Sequence, residues 1–181
     1  MASVAPIIAA PEASEYAPYY GRYISLVTAR DILRALEEQC SGTVAILSSL
    51  GERQGNYRYA PDKWSVKEVL GHVIDTERIF AYRALRIARN DKTPIEGFEQ
   101  DGYVTAARFG NRTLAGLIEE FSAVRRAGLP LFRSFDPEAW VRKGIASQKE
   151  ISVRALVYVI AGHELHHRKI LQEKYLLAAG S

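Results

Sequence analysis

The stretch Ser65-Val-Lys-Glu68-Val-Leu-Gly-His72-Val-Ile-Asp-Thr-Glu77-Arg-Ile-Phe80-Ala-Tyr-Arg83-Ala-Leu-Arg-Ile-Ala-Arg-Asn90 decides the fold. Ser65 stands at an N-cap position with Glu68 three residues on, a capping box in which each side chain satisfies a free backbone N–H of the other residue. Val66, Val69, Leu70, Val73, Phe80, Ala84 and Ile87 then recur at the three- and four-residue spacing of one helix face. This predicts a long amphipathic helix running to Asn90.

Three more segments share that periodicity. One follows Thr28, with Asp31 in a capping-box-like position, and carries Ile32, Leu33, Leu36, Cys40, Val44 and Leu47 to a stop at Gly51. Another follows Thr113 through Leu114, Leu117, Ile118, Phe121 and Val124, with Gly128 and Pro130 expected to kink or end it. The last begins near Ser152 and carries Val153, Leu156, Val157, Ile160, His163, His167 and Leu171 towards Tyr175. No segment between them alternates as a strand would, so the expected fold class is all-α. The loops Glu52 to Lys63 and Asp91 to Tyr103 are long enough to cover a site, and a short helical turn is expected from Tyr103 to Phe109.

At 181 residues the chain is sized for one domain, expected over 19–181, after a flexible arm at 1–18 rich in Ala and Pro. The arm lacks the charged and apolar regions of a signal peptide, and no uncharged apolar run is long enough to span a bilayer. The net charge of +3 is a mixture of signs, without a basic stripe interleaved with aromatics, so neither membrane nor nucleic acid is an expected partner. The single cysteine, Cys40, excludes an intrachain disulfide and cysteine-based metal clusters, and a cytoplasmic location is expected.

The four histidines are not scattered: His72 lies on the second long helix, while His163, His166 and His167 crowd one turn of the fourth. An i, i+4 pair sits roughly 40° apart on a helix, so His163 and His167 can grip one ion from the same side. Both fall near the centre of the Leu156, Ile160 and Leu171 stripe, whereas His166 lies about 100° away. His72 flanks its own stripe, from where it can face a cleft and complete three protein ligands with open positions left, or serve as a hydrogen-bonded edge residue. His163-Glu-Leu-His-His167 also satisfies H-E-x-x-H, the zincin metalloprotease signature. A zincin takes its third ligand from downstream, and after His167 the chain holds no histidine and only Glu173, on the same helix.

Tyr59-Ala-Pro-Asp-Lys-Trp64-Ser-Val-Lys-Glu-Val-Leu-Gly-His72-Val-Ile-Asp-Thr-Glu77, followed by His163-Glu-Leu-His-His167, resembles the DinB/YfiT-like superfamily, in which a W-S-x-x-x-x-x-x-H pattern supplies one metal ligand and a C-terminal H-x-x-x-H supplies two. Phe98-Glu-Gln-Asp-Gly-Tyr-Val104 and Glu138-Ala-Trp140 fit as well, and the resemblance covers roughly residues 19–176. It implies an up-down-down-up four-helix bundle, often a homodimer, with a divalent ion on His72, His163 and His167. Zinc or nickel are the first candidates, with iron and cobalt behind them, since three imidazoles accept all four. Known activities in the family include bacillithiol transfer and a mycothiol-dependent isomerisation, while other members are called metal-dependent hydrolases or damage-inducible proteins. The implied function is therefore a metal-dependent thiol S-transferase or hydrolase acting on a small molecule, with a low-molecular-weight thiol as the candidate co-substrate. The alternative is a non-catalytic metal-binding or stress-associated module.

Glu77 and Glu164 face inward on their helices and are the candidate catalytic carboxylates, each either a proton acceptor near the metal or the partner of an inward arginine such as Arg83. The arginines Arg78, Arg83, Arg86 and Arg89 read as a solvated or dimer-facing surface. Cys40 and Trp64 read as core, and Tyr16, Tyr19, Tyr20 and Tyr23 as packing anchors.

Overall fold

Side-chain caps set the starts of the long helices. The Asp31 carboxylate accepts from the amides of Leu33 and Arg34, Ser65 Oγ from Glu68, Thr113 Oγ1 from Gly116 and Ser152 Oγ from Ala155. The computed structural model describes residues 8–176. In chain order its elements are α1 (Gly21–Ile24), α2 (Ile32–Ser48), α3 (Glu52–Gly55), α4 (Val66–Ala88), α5 (Gln100–Ala107), α6 (Leu114–Arg133), α7 (Pro137–Val141), β1 (Lys143–Ala146), β2 (Lys149–Ser152) and α8 (Val153–Ile170). A wider π-type turn, Leu171–Leu176, extends α8.

Four expectations need correction. α2 starts at Ile32, because Asp31 itself is the cap and Thr28 lies outside the helix, and it ends at Ser48, leaving Gly51 to precede α3. α6 does not end at Gly128 or Pro130 but runs on to Arg133. Burial of Leu129 and Phe132 on one face outweighs the ~3 kcal/mol penalty of an interior proline. The helical segment expected from Tyr103 to Phe109 lies earlier, as α5, followed by a short turn at Phe109–Asn111. Finally, the helices are accompanied by a two-stranded antiparallel hairpin, β1 against β2, turning through Ser147 and Gln148 at φ of 51° and 63°. Two four-residue strands carry too short a pattern to read, and the turn lacks the usual Asn-Gly signal.

α2, α4, α6 and α8 form the four-helix bundle, with α4 packed on α6 and α8, and α2 packed on the same two. Side-chain pairs fix their directions. Arg133 at the end of α6 pairs with Glu37 near the start of α2, so these two are antiparallel. Thr43 and Glu164 meet in the second halves of α2 and α8, which run parallel. His72, early in α4, meets His163, late in α8, so α4 opposes α8. The result is up-down-down-up.

The buried interior divides into two apolar clusters. One gathers Ile32, Leu36, Phe80, Ala84, Phe132 and the first half of α8; the other gathers Leu47, Val66, Leu70, Leu117, Phe121 and Leu171. Each long helix contributes a buried polar residue to the layer between them: Thr43, Glu77, Arg125 and Glu164. The candidate site adjoins that layer.

Residues 1–7 of the arm and 177–181 lie outside the described residues. From residue 8 onward the arm packs on the bundle: the Tyr158 hydroxyl donates to the Ile8 carbonyl, and Arg154 pairs with Glu15, whose carboxyl is held down to about 2 by bonds to Arg154 and neighbouring groups that outweigh the effect of burial. No described helix is long and apolar enough to cross a membrane.

Candidate metal centre

Opposing α4 and α8 bring His72, His163 and His167 to one point. His163 Nε2 lies 3.0 Å from His72 Nε2 and 3.1 Å from His167 Nε2. His72 and His163 are buried, 4% and 5% exposed, and His167 is partly so. Burial pushes the His72 ring down to about 4 and the His167 ring down to about 3; it also lowers His163, with the neighbouring imidazoles adding to the effect. All three are therefore neutral near pH 7, the state with free lone pairs. His72, only a flank residue by helical phase, is turned inward by its neighbours: Trp64 packs on its ring at 4.9 Å. Trp64 is thus a half-buried wall of the site as well as a packing residue.

His166 stays out of the cluster, its ring lying edge-on to Tyr23 at 5.4 Å. Tyr23 also packs on His163 at 5.3 Å. That contact depends on Gly162, because a Cβ there would meet the Tyr23 carbonyl oxygen at 2.1 Å. Glycine is what lets α1 approach α8 beside the histidines.

Glu77 and Glu164 are placed away from the cavities at the histidines and are held by a residue not singled out in the sequence, Arg125. Its Nε and Nη2 donate to the Glu77 carboxylate at 2.7 and 2.9 Å, Nη2 also to Glu164 at 2.8 Å, and Nη1 to the Leu36 carbonyl at 2.6 Å. Thr43 donates to the other Glu164 oxygen at 2.6 Å. The partner of both carboxylates is thus Arg125 and not Arg83. A signal was present: Arg125 falls four residues after Phe121 and four before Leu129, in the apolar stripe of its helix, where a charge needs a buried partner.

Two cavities reach the histidines. One of about 330 Å³ is lined by Tyr20, Tyr23, Phe80, Arg83 and Phe98 and by His72 and His163. Another, also about 330 Å³, meets His167 between Tyr59, Trp64 and Tyr175. Tyr19, Tyr20 and Tyr23 therefore wall a cavity beyond anchoring the chain. Arg78 pairs with Glu120 and Arg86 with Asp91, as surface charges do, while Arg83 is 2% exposed. Cys40 is half-buried against the second apolar cluster, and burial raises its thiol.

A family model described as the DinB superfamily matches residues 35–171, spanning all three histidines. The chain belongs to the DinB superfamily. Among solved structures it is similar to YfiT from Bacillus subtilis, described as a probable metal-dependent hydrolase with an unusual four-helix bundle topology. The likeness has a TM-score of 0.75 over 93% of each chain at 14% identity, which establishes the shared fold. No curated protein matches the chain.

The donor set fits a metal. Three imidazole nitrogens bound at about 2.0 to 2.1 Å sit about 2.8 to 3.4 Å from one another, from the facial octahedral to the tetrahedral arrangement. The two separations from His163, 3.0 and 3.1 Å, fall in that range, and the donor nitrogens of all three lie within 4.8 Å of one another. Hydrogen bonding alone does not satisfy the cluster, since a proton on His163 Nε2 can serve only one of its two neighbours at a time, whereas a cation takes all three lone pairs.

Proposed function

We propose that His72, His163 and His167 hold a divalent transition metal, zinc or nickel before iron or cobalt, and that the protein is a metal-dependent enzyme acting on a small molecule. The observation that carries this reading is the convergence of three imidazoles, two buried and one partly so, with His163 Nε2 at 3.0 and 3.1 Å from the Nε2 atoms of His72 and His167, next to open cavities. An ion held by three protein ligands keeps positions free, and it supplies a nucleophile near neutral pH by lowering the pKa of a water or thiol bound beside the histidines.

The chain's own residues do the rest. Arg125, tied to Glu77, Glu164 and the Leu36 carbonyl, locks α2, α4, α6 and α8 together and so fixes the helix that carries His163 and His167. Tyr20, Tyr23, Phe80 and Phe98 set an aromatic wall against the polar groups of the first cavity, which limits competing water on that side. Glu77 and Glu164, both bound to Arg125, serve as positioning groups. Two cavities reaching the cluster from different sides support a two-substrate reaction, thiol S-transfer, over hydrolysis: one holds the thiol and the other the electrophile. The protein is expected to act in the cytoplasm as a homodimer.

Metal analysis of tag-free protein tests the centre, with about one equivalent expected and a loss of at least tenfold in affinity for His163→Ala. Turnover assays with low-molecular-weight thiols plus an electrophile, and in parallel with ester and amide substrates, separate transferase from hydrolase. Protein that takes up no zinc, nickel, cobalt or iron would overturn the reading, and a loaded protein inert in both assays would leave a non-catalytic binding module.

A further inference from the structure

Two guanidinium groups are buried among the described residues, and the fold treats them differently. Arg125, 1% exposed, is neutralised by two carboxylates. Arg83, 2% exposed, is in no ion pair among the described residues. Its Nη2 donates to two neutral acceptors, the Glu96 carbonyl and Ser147 Oγ, each at 3.0 Å. Its Nε–H is buried without an acceptor. Holding a charge in such a place is unfavourable unless an anion joins it. Burial also pulls the Arg83 guanidinium below its ordinary pKa, and the neighbouring Tyr20 hydroxyl, itself kept neutral by burial, opposes that shift without reversing it.

The place is the wall of the cavity that ends at His72 and His163. His72, Thr76, Phe80 and Arg83 follow one another along α4 at intervals of four, four and three residues, and all four line that cavity. Between the histidines and Arg83, Thr76 Oγ1 is a second buried polar atom without a partner, 4% exposed. The Phe80 and Phe98 rings lie 5.1 and 5.7 Å from the Arg83 guanidinium carbon. Glu99, the cap of α5, also lines the cavity, so a second negative charge on a ligand is opposed.

We propose that Arg83 receives the carboxylate of a substrate whose reacting end lies at His72 and His163, making the substrate class a small monocarboxylate with an apolar or aromatic body. The reacting-end assignment rests on the proposed metal centre; the carboxylate site itself does not. A charge-assisted bond to the carboxylate gives Arg83 its missing partner, Thr76 Oγ1 takes a polar atom of the ligand, and the aromatic walls cover its body.

The test compares 3-phenylpropionate with its uncharged isostere 3-phenylpropanamide by titration calorimetry on the full chain, metal-loaded and again after chelation. The acid is expected to bind at least about tenfold tighter than the amide in both states, as one charge-assisted bond in a buried site would give. In Arg83→Gln the preference should shrink to within about twofold. Ser147→Ala keeps the charge while removing one fixed partner, so it should retain the preference even if Arg83→Gln fails to fold. Equal affinities in the wild type, no binding of the acid at about 10 mM, or an acid preference that survives in folded Arg83→Gln would overturn the proposal. A preference abolished by chelation would also overturn it, by placing the carboxylate on the metal, while sparing the metal reading. A preference intact in protein that binds no metal would do the reverse.

Discussion

Replacing Arg125 by methionine should be among the most damaging single changes to stability. The side chain is 1% exposed, and its partners Glu77 and Glu164 are 3% and 1% exposed. Methionine fills much of the volume, so cavity formation is a minor part of the effect. What is lost is four donated bonds of 2.6 to 2.9 Å and the only cation bonded to the two carboxylates among the described residues. Breaking a buried pair from one side costs about 3 to 5 kcal/mol, mostly through the charge left behind. For a domain of this size that is a fall in Tm of roughly 10 °C. Urea unfolding followed by circular dichroism, with metal removed so that ligand binding does not mask the change, measures it. Adding Glu77→Gln and Glu164→Gln to Arg125→Met should recover at least about 1 kcal/mol, because the uncompensated charges are gone. A loss below about 1 kcal/mol for Arg125→Met, or no recovery in the triple variant, would refute the reading of the layer as dry and charge-balanced by Arg125.

His166→Ala should retain metal within a few-fold of wild type while His163→Ala loses it, measured by equilibrium competition with a chromogenic chelator; equal losses would show that His166 is a ligand. Gly162→Ala should displace α1 from α8, because the new Cβ would lie 2.1 Å from the Tyr23 carbonyl oxygen, and the expected destabilisation is about 1 to 3 kcal/mol by urea unfolding; an unchanged midpoint would argue against that close approach. Glu15, its carboxyl held to about 2 against an ordinary 4.5, favours the ionised form in the fold, so its contribution is complete above about pH 4.5 and is lost as pH falls towards 2. Side-chain NMR titration should place its midpoint well below 4, and a midpoint at 4.5 would show that the arm does not hold the pair with Arg154 in solution. Cys40→Ser should leave metal content unchanged, and the wild-type thiol should react slowly with a disulfide reagent; rapid labelling in the folded protein would contradict its burial.

Local signals were enough for the long helices and for most of the histidine cluster. Ser65, Thr113 and Ser152 start their helices as read from sequence because an N-cap acts on amides two or three residues away, and the inward phase of His163 and His167 is fixed by an angle of about 40° within one helix. Long-range terms decided the rest. Pro130 stays helical because distant helices bury Leu129 and Phe132, and the β1–β2 hairpin forms although its turn residues give no warning. His72 moves from flank to cluster because α8 lies opposite and Trp64 packs on its ring, a placement set by the direction in which α4 and α8 run. The partnership of Arg125 with Glu77 and Glu164 joins residues 48 and 39 positions apart in the chain, and it, like the lack of a carboxylate partner at Arg83 among the described residues, depends on how four helices are stacked. Periodicity reports which face of a helix is buried, but only the packing of one helix on another determines which buried charges meet.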